Sequence, residues 1–238
     1  MYTFESRVRY SETDTEGELS PVAVINYFQD CSTFQSEDIG VGVNWLEEKK
    51  RAWFLSSWRI IIDRLPKLGE PITVGTFPYG FKGINGYRHF YIADKDNDLI
   101  VRADSVWFLF DLETDTPMRV TEEHMAPYVT EQIDLGMGEH VRKKIVIPKD
   151  TRELEPVEIR PHHIDTNLHV NNAQYVAMAI ESAGIRNRDI REIRVEYKRA
   201  AKLGDVIFPR EASTDEGRII ALCDREDTCY AVVMLKLF

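Results

Sequence analysis

Within five residues the chain carries a carboxylate, a carboxamide and an imidazole, at Asp165, Asn167 and His169. In an extended segment positions i, i+2 and i+4 project to one side, so all three could converge on one bound group. In a helix Asp165 and His169 would share a face while Asn167 pointed away, so the spacing predicts an extended segment or a loop. A carboxylate that can take a proton from water, or itself attack a carbonyl carbon, beside polar groups that can orient it, suits acyl transfer or hydrolysis. The structural alternative is that Asp and Asn gather here as turn formers and helix caps. His162, His163, Asp165 and His169 are ligand types that would suit zinc, but no Cys or Glu-x-x-His pattern accompanies them.

Directly after the triplet a helix is expected over 172–183. Asn171 or Asn172 can cap it, Ala173, Val176, Ile180 and Ala183 recur as a buried stripe, and Gly184 is its stop. The free amides at such a helix start favour an oxyanion, so they are candidate donors to a developing negative charge. Glu181, on the same helix, is a second carboxylate, for which a structural hydrogen bond is the favoured role.

The elements that must hold these residues occur twice. Ser20 and Pro21 open a first long helix over about 22–39 and Gly40 closes it. Alternation over 2–10, then aromatic and branched runs at 53–63, 71–77, 86–93 and 99–110, read as antiparallel strands. A second strand, polar loop, helix and strand series follows from 157 onward. Asp165 follows Asp14 and His169 follows Glu18 by the same 151 positions (165 − 14 and 169 − 18), while Lys67-Leu68-Gly69-Glu70 recurs as Lys202-Leu203-Gly204-Asp205 at 135 (202 − 67). About 16 residues are therefore missing between helix and strand in the second unit. The expected class is α+β, each unit an antiparallel sheet wrapped around one long helix: a first domain over 1–120, a linker over 121–150 with a short helix, and a second domain over 151–238. The first copy has Asp14, Glu16 and Glu18 and lacks the His and the Asn pair, so the reactive groups are expected in the second and a binding scaffold in the first.

Charge and composition narrow the partners. A net charge of −10 argues against nucleic acid, which needs a basic face. An acidic protein partner would depend on local patches such as Lys49-Lys50-Arg51, Arg142-Lys143-Lys144, or Arg186, Arg188, Arg191 and Arg194. No apolar run approaches the roughly 20 residues that cross a bilayer, and the first residues lack the layout of a signal peptide, so a cytoplasmic setting is expected. Cys31, Cys223 and Cys229, an odd number without ligand spacing, are expected to be free and mostly buried thiols.

Several separate blocks resemble one family. Asp165-Thr166-Asn167-Leu168-His169-Val170-Asn171-Asn172-Ala173-Gln174-Tyr175 with Glu181-Ser182 is similar to the signature of the acyl-acyl carrier protein thioesterases. So are Ile62–Glu70, the set Gly83, Asn85, Gly86 and Arg88, Arg102–Trp107 and Val195–Arg199, in the same order. The resemblance implies two tandem hotdog folds and hydrolysis of fatty acyl thioesters on acyl carrier protein, with no cofactor or metal. Asp165, Asn167 and His169 would be catalytic, and the first half would bind the acyl tail among residues such as Val22, Val24, Ile25, Phe28, Trp53, Leu55, Trp58, Trp107 and Leu109, most of them simple core. Plant members carry a Glu-Cys pair where this chain has Ala200 and Ala201, which leaves the carboxylate work to Asp165. An acyl-CoA thioesterase, a hotdog dehydratase and a non-catalytic acyl-binding protein are the alternatives on the same scaffold. Two fused units are compatible with a monomer or a homodimer.

Overall fold

The computed structural model describes residues 1–138 and 144–238; Arg142 and Lys143 of the second basic patch lie outside the described residues. In chain order the elements are β1 (Tyr2–Arg7), α1 (Pro21–Asp38), α2 (Val43–Glu48), β2 (Arg51–Ile62), β3 (Pro71–Lys82), β4 (Asn85–Ala93), β5 (Leu99–Asp111), β6 (Thr116–Pro117) and α3 (Glu122–Met125). The second half contributes β7 (Arg152–Glu153), β8 (Val157–Glu158), α4 (Asn172–Ser182), β9 (Ile190–Tyr197), β10 (Val206–Thr214), β11 (Gly217–Cys223) and β12 (Cys229–Leu237).

All of these strands form one sheet, ordered β1-β3-β4-β5-β2-β9-β12-β11-β10-β7, with β6 on β5 and β8 on β10. The two halves join edge to edge, where β2 pairs antiparallel with β9 from Ser57↔Glu196 to Ile61↔Glu192. Arg59 spans that joint, its Nε 3.2 Å from Glu192 Oε1. Each half thus supplies the edge that the other would leave unpaired. The architecture is the tandem hotdog arrangement of an α+β chain.

α1 begins where Ser20 Oγ accepts the Ala23 N–H at 3.2 Å with Pro21 at the first helical position, and ends before Gly40 at φ 76°. Its Val24, Ile25, Phe28 and Cys31 are buried against the sheet. α4 is shorter: Asn171 Oδ1 accepts the Ala173 N–H at 2.9 Å, and Gly184, at φ 62°, closes it by donating to Glu181 O at 3.0 Å. The two helices touch each other, and both share one apolar core with the sheet. Val24, Ile25, Phe28, Leu55, Trp58 and Leu109, named above as candidate tail contacts, are all core.

The repeat is exact enough to see in single hydrogen bonds. Leu19 N–H donates to Pro66 O at 2.9 Å and Val170 N–H to Ala201 O at 3.0 Å; Gly69 N–H donates to Val8 O at 2.9 Å and Gly204 N–H to Ile159 O at 3.1 Å. The residues missing from the second copy fall on the last turns of α1 and on α2, since α4 has 11 residues against 18 and a single 3-10 turn, Asn187–Asp189, connects it to β9.

One expectation fails outright. Cys223 and Cys229 are not free thiols: they form a disulfide across the ends of β11 and β12. The five-residue connection between those strands sets the two cysteines opposite each other in register, which an odd cysteine count does not reveal. Cys31 is free and buried, and burial pushes its thiol up to about 12, which leaves it a packing residue and not a nucleophile.

Candidate functional site

Residues 164–170 form a tight loop, not an extended segment. Its base is a bridge between Ile164 and Val170, and Asp165 N–H donates to His169 O at 2.9 Å. Leu168 N–H then donates to Asp165 O at 3.0 Å, and Leu168 takes the left-handed conformation at φ 60°. Inside this turn one oxygen of Asp165, Oδ1, accepts the Asn167 N–H at 2.8 Å, which fixes the carboxylate while leaving Oδ2 without a partner among the described residues.

The turn separates its side chains among neighbouring spaces. Asp165 and Thr166, with Asn171, wall a polar cavity of about 490 Å³ that is closed on its other side by Arg9, Glu12 and the α1 face carrying Asn26, Gln29, Asp30 and Thr33. Asn167 reaches a second cavity of about 360 Å³, walled largely by the first half: Trp53 and Phe54 of β2, Pro78 and Phe81 of β3, Trp107 of β5, and Leu46 of α2. Thr33 borders both cavities, so they adjoin there. The half-buried His169 side chain borders neither, while the residue's backbone carbonyl closes the loop. The structure therefore sets Asp165 and Asn167 in two cavities that share Thr33, and His169 in neither.

Two of the amides at the start of α4 are not open oxyanion donors. Ala173 N–H is taken by Asn171 Oδ1 and Gln174 N–H by Asn171 O, at 2.9 Å each. The cap that makes this helix start stable is what occupies them. Nor does Glu181 form the structural hydrogen bond expected of it: it is exposed on α4, with no partner among the described residues. Ala201 is fully buried, its N–H donated to Tyr175 Oη at 2.8 Å, so the position supports the loop from below.

Sequence reasoning reaches Asp30 only as the counterpart of Glu181 in the first repeat (181 − 151) and misses the rest of the α1 contribution. Asn26, Gln29, Asp30 and Thr33 form a polar stripe at helical spacing on a helix whose opposite face is apolar, and that stripe was the available signal. Gln29 Oε1 accepts from Asn172 Nδ2 at 3.1 Å, tying the stripe to the start of α4. Missed too was Arg88, 8 % exposed at the edge of the apolar cavity. Burial pulls its guanidinium below the usual arginine range; Gln35 Oε1 and Thr76 Oγ1 accept its hydrogen bonds, and Phe90 and Tyr128 present their ring faces. Glu12 is likewise committed: burial opposes its charge, but hydrogen bonds from the Arg9 side chain and backbone and from Tyr27 Oη hold its carboxyl below the usual range.

Comparison with known proteins identifies the family. The model of the acyl-ACP thioesterase N-terminal domain matches residues 1–128, and that of the acyl-ACP thioesterase C-terminal domain matches residues 147–227. A palmitoyl-acyl carrier protein thioesterase of Arabidopsis thaliana chloroplasts is 25% identical over 237 residues, covering 92% of this chain and 57% of the relative. The chain spans about half the length of the curated relatives it matches. Among solved structures, an acyl-ACP thioesterase from Bacteroides thetaiotaomicron superposes with a TM-score of 0.88 at 20% identity, over 99% of this chain and 97% of that one. The 12:0-ACP thioesterase of Umbellularia californica gives 0.84 at 16% identity, over 100% and 96%. With both domain models matched in order, on the fold those structures share, the chain belongs to the acyl-ACP thioesterase family.

Proposed function

We propose that this protein hydrolyses the thioester between a fatty acyl group and the phosphopantetheine arm of acyl carrier protein, releasing a free fatty acid and so ending elongation in fatty-acid synthesis, in the cytoplasm. The observation that carries it is the junction at Thr33. An aromatic-walled cavity fit for an acyl tail meets a polar one holding a carboxylate with one free oxygen.

In this reaction the tail lies in the cavity of the first half and the thioester carbon sits at the junction. Asp165 takes a proton from a water as that water's oxygen bonds to the carbon. The carbonyl oxygen becomes negative, and the Asn167 carboxamide, which borders the acyl cavity, donates to it. Collapse of the tetrahedral intermediate breaks the C–S bond. Hydrogen bonds within the loop hold Asp165 and Asn167 in place before substrate arrives, and His169 contributes by closing that loop.

Release of free thiol, followed with a colour reagent, tests this on one acyl group carried by acyl carrier protein and by coenzyme A. Faster release from the carrier protein, abolished by Asp165→Asn, is the expected result. Preference for coenzyme A would replace the acidic protein partner with a nucleotide. Absence of thiol release across a panel of acyl chains would reduce the protein to an acyl-binding scaffold.

A further inference from the structure

The polar cavity contains an acidic group from the first repeat that the reaction above does not use. Asp30 stands on α1, across the cavity from Asp165. The other acid lining the cavity, Glu12, is engaged by Arg9 and Tyr27. Asp30 has no hydrogen bond or ion pair among the described residues. It opens to solvent on one side while protein closes in on the other. That crowding moves its carboxyl above the usual aspartate range; Arg9 works against the shift and Glu12 with it. Glu181, which stands 151 positions later on α4, borders neither cavity of the site. The internal symmetry thus offers two helix acids, and only the one facing Asp165 is placed for chemistry.

We propose that Asp30 is the proton donor to the departing sulfur, so that two of the three carboxylates lining the cavity, one from each repeat, divide the acid and base work. The inference rests on the thioesterase reading and supplies the second carboxylate that Ala200 and Ala201 cannot. Water loses one proton to Asp165 as its oxygen bonds to the thioester carbon. The intermediate then expels sulfur, the C–S bond breaks with its electron pair on sulfur, and the Asp30 proton passes to that sulfur. The products are the carboxylic acid and the free thiol; the proton on Asp165 returns to Asp30 through the solvent at the cavity mouth, which closes the cycle. An alkyl thiol such as that of the pantetheine arm has a pKa near that of cysteine, about 8.5, so donation to its sulfur lowers the barrier at neutral pH.

A pair of thioesters carrying the same acyl group tests the assignment. One is the pantetheine thioester; the other is the ester of a nitrothiophenol, whose thiolate is stable at neutral pH and leaves without a proton. Asp30→Asn is expected to lower kcat/KM on the pantetheine thioester by about 100-fold. On the aryl thioester the expected loss is small, about threefold or less for a step that needs no acid. Asp165→Asn should depress both substrates alike, and Asp30→Glu should recover part of the lost rate on the first. An equal loss on both thioesters, or no loss on either, would overturn the role of Asp30. Wild-type protein that hydrolyses neither thioester would instead remove the thioesterase reading itself. Should Asp30→Asn fail to fold, the wild type still decides. Its rate should vary little with thiol pKa across a series of alkyl and aryl thioesters, and a steep dependence would exclude a proton donor.

Discussion

The loops at 14–18 and 165–169 have one backbone and two fates. In each, the first residue's N–H donates to the carbonyl four positions on, at 2.9 Å, and its carboxylate accepts the N–H two positions on, at 3.0 Å for Asp14 and 2.8 Å for Asp165. The fourth residue is left-handed in both: Gly17 at φ 76° and Leu168 at φ 60°. What differs is what lies across from them. The first loop is sealed, because Asn187 Nδ2 donates to Asp14 Oδ2 at 2.9 Å and Arg188 pairs with Glu16. The second meets the polar stripe of α1 and the cavity beyond, and its Asp165 Oδ2 stays free of protein partners among the described residues. The missing segment accounts for the asymmetry. After α4 the chain turns at once, through Asn187–Asp189, onto the first loop; after α1 the extra helical turns and α2 instead form a wall of the acyl cavity. One insertion or deletion therefore decides which loop can meet a substrate.

The sharpest break between the loops is expected on exchanging their aspartates for alanine. Asp165→Ala should lower kcat by about 10²–10⁴-fold, the usual contribution of a positioned base. It should leave thermal stability nearly unchanged, since only one backbone N–H loses its acceptor. A variant that hydrolyses acyl carrier protein thioesters at close to the wild-type rate would remove Asp165 from the chemistry. The cavity gives the next largest effect. Trp53→Ala deepens the space for the tail, and each methylene newly buried there contributes about 0.8 kcal/mol. The kcat/KM ratio for an acyl chain two carbons longer should then rise roughly tenfold, and an unchanged chain-length profile would move the tail out of the first half.

On the sealed side the effects should be on folding and not on turnover. Asp14 accepts from two backbone N–H groups and from Asn187, so Asp14→Ala should cost about 1–2 kcal/mol. In a chain of this size that is a fall in Tm of about 2–8 °C, read by thermal unfolding, with kcat preserved. Arg188→Ala removes a half-exposed ion pair with Glu16, for which well under about 1 kcal/mol is expected. If Asp14→Ala abolished turnover while the protein stayed folded, the two loops would have to be counted as a single site.

Much of this was legible in the residues. Ser20, Pro21 and Gly40, and again Asn171 and Gly184, mark the helix ends through local chemistry that the fold preserves. The repeat was visible because Asp14 and Asp165, or Glu70 and Asp205, perform the same turn-making bond in both copies. What the pattern did not carry is contact between the copies. The pairing of β2 with β9 and the facing of Asp30 with Asp165 join residues more than a hundred positions apart, and no local period records them. Two of the oxyanion donors expected at α4 are occupied for a related reason: an asparagine that can cap a helix takes up amides that the same reasoning leaves free. Cys223 and Cys229 flank a hairpin connection, and the hairpin geometry was the better guide to their pairing than the odd cysteine count.

The last expected effect separates strain from recognition within the open loop. Leu168 is 76 % exposed and left-handed, where its first-repeat counterpart is glycine. A β-carbon in that conformation costs about 1–2 kcal/mol, while glycine adds about 0.5–1 kcal/mol of chain entropy to the unfolded state. Leu168→Gly should therefore stabilise the protein by roughly 0.5–1 kcal/mol, the difference of those two effects, and thermal unfolding should show a modest rise in Tm. Leu168 lines neither cavity, and its exposed apolar side chain beside Asn167 raises the question of contact with the carrier protein. If that contact is made, the same variant will show a raised KM for acyl carrier protein at unchanged kcat. A rise in Tm with KM unaltered would mean that the second loop carries its strain without using it, and that a glycine there, as in the first loop, would serve equally well.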